Sequence, residues 1–271
     1  MVLVPADAAR LLDIGEGGVD ALTRFEEAVL AESGLVLEVE LVDRQADALA
    51  ALCASAPGRV VVAWLDGLAS QAALARRCGA PELQVERGSP RAQAGVPVLI
   101  VADRRLGMSG VGPLARRTFC RLSAEDFESW LAPALILRAG GVDPVKDLGA
   151  VRDYDDYETL LAAVASGECA AVGLTETRFE QLPDALRDDI RVAGRSPALP
   201  YALLFYPINL PLGERLRLTD ALLALAFDPE RAEMLEPLFA QSGLARVVPD
   251  ILEQASAFLS RTGLDFAQLG N

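Results

Sequence analysis

Residues 59–78 read RVVVAWLDGLASQAALARRC, in which a valine-rich run passes directly into a segment of alanines and leucines. The run at 59–64 has the length and the β-branched residues of a buried strand. The segment at 67–78 has a helical pattern. A strand that leads straight into a helix is the repeating unit of α/β proteins.

The same alternation extends in both directions along the chain. The sequence predicts strands at 2–4, 35–41, 59–64, 97–102, 118–122, 148–152, 169–174, 190–194 and 202–206. It predicts helices at 6–12, 18–32, 45–56, 67–78, 125–139, 156–166, 177–188, 213–227, 229–241 and 248–260. This order indicates an α/β fold with mostly parallel sheets flanked by helices.

Two segments interrupt the alternation. Residues 103–117 are rich in glycine and arginine, and residues 194–211 contain four prolines. Both are typical of connecting segments. They leave two strand–helix blocks, at 1–101 and 118–194, and a helical C-terminal part.

The composition excludes several classes of function. Hydrophobic residues make up 52% of the 271 residues, which favours a packed interior, and the net charge of −14 without a basic run argues against a nucleic-acid partner. No run of 18 apolar residues predicts a transmembrane segment. Histidine is absent, and with it the commonest general base and metal ligand. This weakens every enzymatic interpretation without excluding one, and we predict no catalytic residues, no metal site and no cofactor.

The four cysteines, Cys53, Cys78, Cys120 and Cys169, match neither a CxxC nor a zinc-binding spacing. Two interpretations stay open at this point. The cysteines are small buried hydrophobic residues, or they form two disulfides in an exported protein.

Three stretches of the second block resemble the phosphonate-type periplasmic solute-binding proteins of ABC transporters, which have the type 2 periplasmic-binding fold. They are LAPALILRAGGVDPVKDL (131–148), YETLLAAVASGECAAVGLTETRFEQL (157–182) and RVAGRSPALPYALLF (191–205). In the first block, VLVPADAARLL (2–12) and VVVAWLDGLASQAALA (60–75) are similar to the opening strand and to a WLGPL motif of that family.

The resemblance implies a two-lobed chain with two hinge crossings. Lobe one would comprise 1–101 and 202–271, and lobe two 102–201. The division would allow the disulfides Cys53–Cys78 and Cys120–Cys169. It also implies a small-molecule ligand in a cleft between the lobes, a membrane permease as partner, and a periplasmic location. No signal peptide is visible, so the chain is either cytoplasmic or a mature chain with a new initiating Met, and the resemblance favours the second.

The family holds an oxyanion at a lobe-two helix start through a loop of hydroxyl residues and glycine. The matching stretch here is SAEDFESW (123–130), which places Glu125, Asp126, Phe127 and Glu128 there. Carboxylates at this position would repel a phosphonate. In the alternative interpretation, Ser123 is simply the N-cap of a helix with acidic residues in its first turn.

The other ligand-binding candidates follow predicted strands or the second crossing. In lobe one they are Asp7 and the group Trp64, Leu65 and Asp66, although Trp64 is equally consistent with a core position. Tyr157 stands where the family often has histidine, Glu176 follows a strand, and Tyr201 keeps the family's Pro-Tyr pair. Asp155 and Asp156 could cap the helix that starts at Tyr157. We expect this acidic set to lack a compensating Arg or Lys and so to favour a cationic or neutral ligand over phosphonate.

The sequence thus predicts a non-enzymatic solute-binding component of an ABC importer. Two other classes stay open. One is a ligand-sensing or interaction module with a degenerate pocket, and the other is a biosynthetic enzyme on the same bilobal fold.

Overall fold

A computed structural model describes residues 1–4, 16–42, 44–87, 92–124, 126–232 and 243–266. The strands are β1 (Val2–Val4), β2 (Glu38–Val39), β3 (Val61–Leu65), β4 (Gly79–Glu86), β5 (Gly95–Asp103), β6 (Thr118–Arg121), β7 (Ala150–Asp153), β8 (Ala171–Thr175), β9 (Ile190–Pro200), β10 (Leu203–Pro207) and β11 (Gly243–Arg246). The α-helices are α1 (Glu16–Ser33), α2 (Gln45–Cys53), α3 (Gly67–Arg76), α4 (Ala132–Ala139), α5 (Tyr157–Ser166), α6 (Glu176–Glu180), α7 (Asp184–Asp189), α8 (Leu212–Phe227), α9 (Pro229–Ala232) and α10 (Pro249–Ser260). One π-helical turn, Phe127–Leu131, leads into α4.

The described residues form two compact units. Unit 1 contains those within 1–95 and 200–249 together with 265–266, and unit 2 contains those within 96–199 and 250–264. The lobe division from the sequence stays a prediction. It assigned 96–101 and 250–264 to lobe one, whereas these residues belong to unit 2, and it assigned 200–201 to lobe two, whereas these belong to unit 1. The segment 250–264 contains most of α10, and the apolar residues Phe258 and Leu259 of this helix are buried.

Unit 1 is built on a six-stranded sheet in the order β11-β4-β10-β3-β1-β2. β1 pairs in parallel with β2 and β3, whereas β10 runs antiparallel to β3 and β4, and β11 antiparallel to β4. Helices α1 and α8 supply apolar residues to the core, among them Phe25, Val29 and Leu222, which pack with the strand residues Trp64 and Tyr206.

Unit 2 is built on a five-stranded sheet in the order β7-β6-β8-β5-β9. β6 lies between its parallel neighbours β7 and β8, and β5 runs antiparallel to β8. The core on one face combines strand residues such as Leu99 and Val172 with Leu160 and Val164 of α5.

The α/β class with two sheets flanked by helices is confirmed. The sheets are more mixed than the alternation suggested, because β10 runs antiparallel to β3 and β5 antiparallel to β8. Two further antiparallel strands, β4 and β11, were not predicted as strands. β4 contains a proline and two glutamates, and β11 is only four residues long. Both are strands because β10 and β4 offer them main-chain partners, which local propensity does not encode.

Both disulfides are present, Cys53–Cys78 in unit 1 and Cys120–Cys169 in unit 2. The first ties the end of α2 to the turn before β4, and Cys53 is exposed. The second joins β6 to the residues before β8, and both of its cysteines are fully buried. The disulfide interpretation is therefore the one that the structure supports.

Candidate functional site

In unit 1 the β3–α3 junction carries three of the predicted ligand residues. Trp64 and Leu65 are fully buried, and Trp64 belongs to the core of the unit. Of the three, only Asp66 reaches the surface, and it is half-buried. Of the two interpretations that the sequence left open for Trp64, the structure therefore supports the core position.

Asp66 is the N-cap of α3. Its Oδ1 accepts hydrogen bonds from the backbone N–H groups of Leu68, at 2.9 Å, and Ala69, at 2.7 Å, and its own N–H donates to Gln45 Oε1 at 3.0 Å. Burial nevertheless raises the pKa of the Asp66 carboxyl, and the two backbone bonds only partly offset this. Gly67 lets the start of α3 lie close to Pro200, because a Cβ there would be only 3.1 Å from the Pro200 carbonyl oxygen.

Tyr201, also in unit 1, is half-buried against the core. Its N–H donates to the Ala94 carbonyl at 3.1 Å, and the Arg87 guanidinium lies 4.7 Å from its ring centroid. Tyr201 is therefore fixed by both its backbone and its ring face. The remaining lobe-one candidate, Asp7, lies outside the described residues.

In unit 2 the candidates collect at one edge of the sheet. β6, β7 and β8 run in parallel where β6 pairs with its neighbours, so their carboxyl ends meet at this edge, where α/β proteins commonly bind ligands. The segments that follow these strands carry Ser123, Asp126, Phe127, Tyr157 and Glu176. Ser123 is exposed and the other four are half-buried, while Glu125 lies outside the described residues.

Asp126, not Ser123, is the N-cap at the start of the helical segment. Its Oδ1 accepts from the Ser129 N–H at 2.6 Å and from the Ser129 hydroxyl at 2.5 Å. Ser123 Oγ makes a similar bond three residues before this one, accepting from the Asp126 N–H at 3.1 Å. The helix does start with an N-cap followed by an acidic first turn, but the capping residue is three residues later than the sequence suggested. Because Ser123-x-x-Asp126 and Asp126-x-x-Ser129 both have capping spacing, the sequence does not separate them.

Glu128 is contacted by side chains from two other segments of unit 2. Its Oε2 accepts from Arg178 Nε at 3.3 Å and from the Tyr157 hydroxyl at 3.4 Å. The Arg178 guanidinium carbon lies 4.0 Å from the Tyr157 ring centroid, a cation–π contact. We call Asp126, Glu128, Tyr157 and Arg178 the Glu128 cluster.

Around the Tyr157 hydroxyl, burial and negative charge outweigh the one positive charge in the cluster, Arg178. Burial, followed by the charges of Glu128 and Asp126, raises the pKa of the Tyr157 hydroxyl well above its ordinary value. A phenol is protonated at neutral pH even at its ordinary pKa of about 10, and here the hydroxyl donates a hydrogen bond to Glu128. Gly173 brings the helix start close to β8, because a Cβ there would lie 2.6 Å from the Glu128 carbonyl oxygen.

The expectation that no arginine compensates the acidic residues is wrong. Arg178 pairs with Glu128, and Arg195 of β9 pairs with Glu176 through both of its terminal nitrogens. These partners are 50 and 19 residues apart in sequence, so only the packing of unit 2 reveals the pairing. A weak signal existed for Arg178, since it stands two residues after Glu176 at the same sheet edge.

Asp156 caps α5, as the sequence indicated. Its Oδ1 accepts from the Thr159 N–H at 2.8 Å, and the bonds to Thr159 lower the pKa of the Asp156 carboxyl. The Asp156 carboxylate therefore caps its own helix.

Within the described ranges, no group of three or more acidic or cysteine side chains is placed to hold a metal ion. Across the same residues, no helix combines the length and the apolar character needed to cross a membrane.

A family model described as "ABC transporter, phosphonate, periplasmic substrate-binding protein" matches residues 19–250. The chain belongs to this family. The phosphonate-type resemblance is thereby confirmed. No curated protein matches the chain.

Solved structures of this family and of similar proteins share the fold. XAC2383 from Xanthomonas citri, bound to ATP, has 18% identity and a TM-score of 0.68 over 97% of this chain and 98% of that one. The binding protein component of an ABC phosphonate transporter from Pseudomonas aeruginosa has 17% identity and a TM-score of 0.57, covering 97% and 87%. PhnD1 from Prochlorococcus marinus, in complex with methylphosphonate, has 13% identity and a TM-score of 0.55, covering 97% of each chain. At such identities the likeness shows the fold alone.

Proposed function

We propose that this protein is the solute-binding component of an ABC importer whose ligand is a small cationic or neutral polar molecule rather than a phosphonate. The family is one of substrate-binding proteins and not of enzymes, and it implies a membrane permease as partner. The ligand part of the proposal depends on one observation. The carboxylate of Asp126 takes the Ser129 N–H at the helix start that the family resemblance assigns to the bound oxyanion.

A carboxylate and a phosphonate compete for the same donors. Both are oxyanions, and a helix start offers few free N–H groups. Asp126 takes both the N–H and the hydroxyl of Ser129, and Glu128 adds a second carboxylate in the first turn of the same helical segment. An incoming phosphonate would have to displace the bonded carboxylate of Asp126 and approach Glu128, whose charge is offset only by a solvent-screened pair with Arg178. A cation or a polyol faces neither cost.

The two disulfides support a site of action outside the cytoplasm. Disulfides persist in oxidising compartments and are rare in cytosolic proteins. This agrees with the periplasmic location that the family implies. The masses of the protein purified from its host, with and without reductant, test this part, and four free thiols in the purified protein would contradict it.

Thermal-shift screening tests the ligand class. The panel comprises methylphosphonate, phosphite, organic amines and polyols. A ligand at one hundred times its Kd stabilises the folded protein by about 2.7 kcal/mol, which is readily detected. We expect stabilisation by an amine or a polyol and none by methylphosphonate. Stabilisation by methylphosphonate would overturn the ligand proposal. If no compound in a large panel stabilises the protein, the sensing module is favoured instead.

The variant Asp126→Ser sharpens the test. Serine keeps a capping oxygen and removes the negative charge, so we expect this variant to gain affinity for methylphosphonate. Asp156→Ser is the matched control, because Asp156 makes the same bond to an N–H three residues on, at α5. The control should lose a similar amount of stability without any gain in binding. Equal behaviour of the two variants would show that the charge of Asp126 does not exclude the anion.

A further inference from the structure

The Glu128 cluster has the composition of a site for an organic cation, and it already holds one. Carboxylates and aromatic faces are the groups with which proteins bind ammonium and guanidinium ions. Glu128 supplies the carboxylate and Tyr157 the ring face. The cation in contact with both is the guanidinium of Arg178, 3.3 Å from Glu128 Oε2 and 4.0 Å from the ring centroid.

We infer that Arg178 is the specificity-determining residue of this site: its guanidinium occupies the cation position between Glu128 and Tyr157, and a ligand bearing an ammonium or guanidinium group binds by displacing it. The inference rests on the proposed function, since it assumes a cationic ligand. It adds a defined position, a defined competitor and the chemical group that the ligand must carry.

The exchange requires only a side-chain movement. The backbone of Arg178 is fixed, because its N–H donates to Thr175 Oγ1 at 3.3 Å at the start of α6. Its side chain is 42% exposed, and that of Glu128 is 32% exposed, so their ion pair is one that water screens. Such a pair is weak, and the Arg178 guanidinium can move into solvent while Glu128 and Tyr157 keep their positions.

The position remains favourable for a cation once Arg178 leaves. Glu128 then has no positive partner in the cluster, and Asp126 adds a second negative charge, held in place by its bonds to Ser129. The Tyr157 hydroxyl stays protonated and continues to donate to Glu128, which orients the carboxylate beside the ring. A ligand cation regains both contacts that Arg178 gave up.

Titration calorimetry with tetramethylammonium and methylguanidinium as probes tests the inference. Removal of the internal competitor in Arg178→Gln should raise the affinity for at least one probe about tenfold, the combined size of a cation–π contact and a screened ion pair. Arg178→Lys keeps a positive charge within reach and should bind like the wild type. Arg152→Gln is the matched control, because Arg152 also pairs with a glutamate, Glu168, which is not a candidate ligand residue, and its pair lies outside the Glu128 cluster.

Tyr157→Leu in the Arg178→Gln background should abolish the gain, because the ring face is lost. Unchanged or weaker binding of both probes by Arg178→Gln would overturn the inference, as would an equal gain in Arg152→Gln. The two proposals fail differently. If the wild type binds the probes and Arg178→Gln gains nothing, only the role of Arg178 fails. If wild type and Arg178→Gln bind methylphosphonate and neither probe, the proposed ligand class fails as well.

Discussion

Each unit carries one disulfide and one of the two tryptophans, which makes the contribution of each disulfide to stability measurable. The perturbations are the paired variants Cys120→Ala/Cys169→Ala in unit 2 and Cys53→Ala/Cys78→Ala in unit 1. A disulfide stabilises mainly by restricting the unfolded chain, and the effect grows slowly with loop length. The two bridges close loops with sequence separations of 49 and 25 residues.

These loops give contributions of similar size. The chain-entropy relation gives about 4 kcal/mol for Cys120–Cys169 and about 3.5 kcal/mol for Cys53–Cys78. Loop length therefore barely distinguishes the two bridges. The bridges differ instead in their exposure to solvent, because Cys120 and Cys169 are fully buried whereas Cys53 is exposed. A reductant reaches the unit 1 bridge in the folded protein and reaches the unit 2 bridge only after unfolding.

Urea unfolding followed by tryptophan fluorescence is the first assay. Trp64 lies in the core of unit 1, and Trp130 lies in unit 2 against Phe119, with ring centroids 5.8 Å apart. Each variant pair is measured in a Trp64→Phe or a Trp130→Phe background, so that one tryptophan reports at a time. The unit 2 pair should lower the unfolding free energy reported by Trp130 by about 4 kcal/mol.

Thiol labelling is the second assay. Native protein is treated with mild reductant, alkylated and analysed by peptide mass, and we expect label on Cys53 and Cys78 alone. Label on all four cysteines at equal rates would contradict the burial argument. A loss below about 1 kcal/mol in the unit 2 pair would refute the loop-closure argument, because that relation requires several times more.

Two further predictions concern a glycine and a carboxyl group. Gly173→Ala should destabilise the protein by about 2 kcal/mol or more in urea unfolding, because its Cβ would lie 2.1 Å from Pro133 Cγ. Gly213→Ala, at an open position of α8, is the control and should gain about 0.5 kcal/mol, so an equal loss in both variants would contradict the close-approach argument. Burial raises the pKa of Asp66 in the folded state, so its stabilising contribution is present at pH values below the ordinary carboxyl pKa of 3.8 and is lost as pH rises through the folded-state pKa. Asp66→Asn should therefore be more stable than the wild type at pH 7, with the difference shrinking as the pH falls towards 4, and a difference independent of pH would contradict the raised pKa.

Several features of this protein follow from the sequence alone. The alternation around 59–78 and along the rest of the chain gives the α/β class, and the motifs at 131–148 and 157–182 identify the family. Local capping is also readable, as Asp156 shows by its bond to Thr159 only three residues away. These features depend on neighbours in sequence, so a single segment contains all the information that they need.

Tertiary structure alone decided the rest. The pairing of Arg178 with Glu128 spans 50 residues, and the choice between buried thiols and disulfides depends on where β6 and the residues before β8 meet. β4 and β11 are strands only because another strand lies beside them. The family resemblance placed acidic residues at this edge of the sheet, but the arginine that pairs with Glu128 became visible only once three separate segments were packed there. Contacts between distant segments depend on this packing, and no local pattern records it.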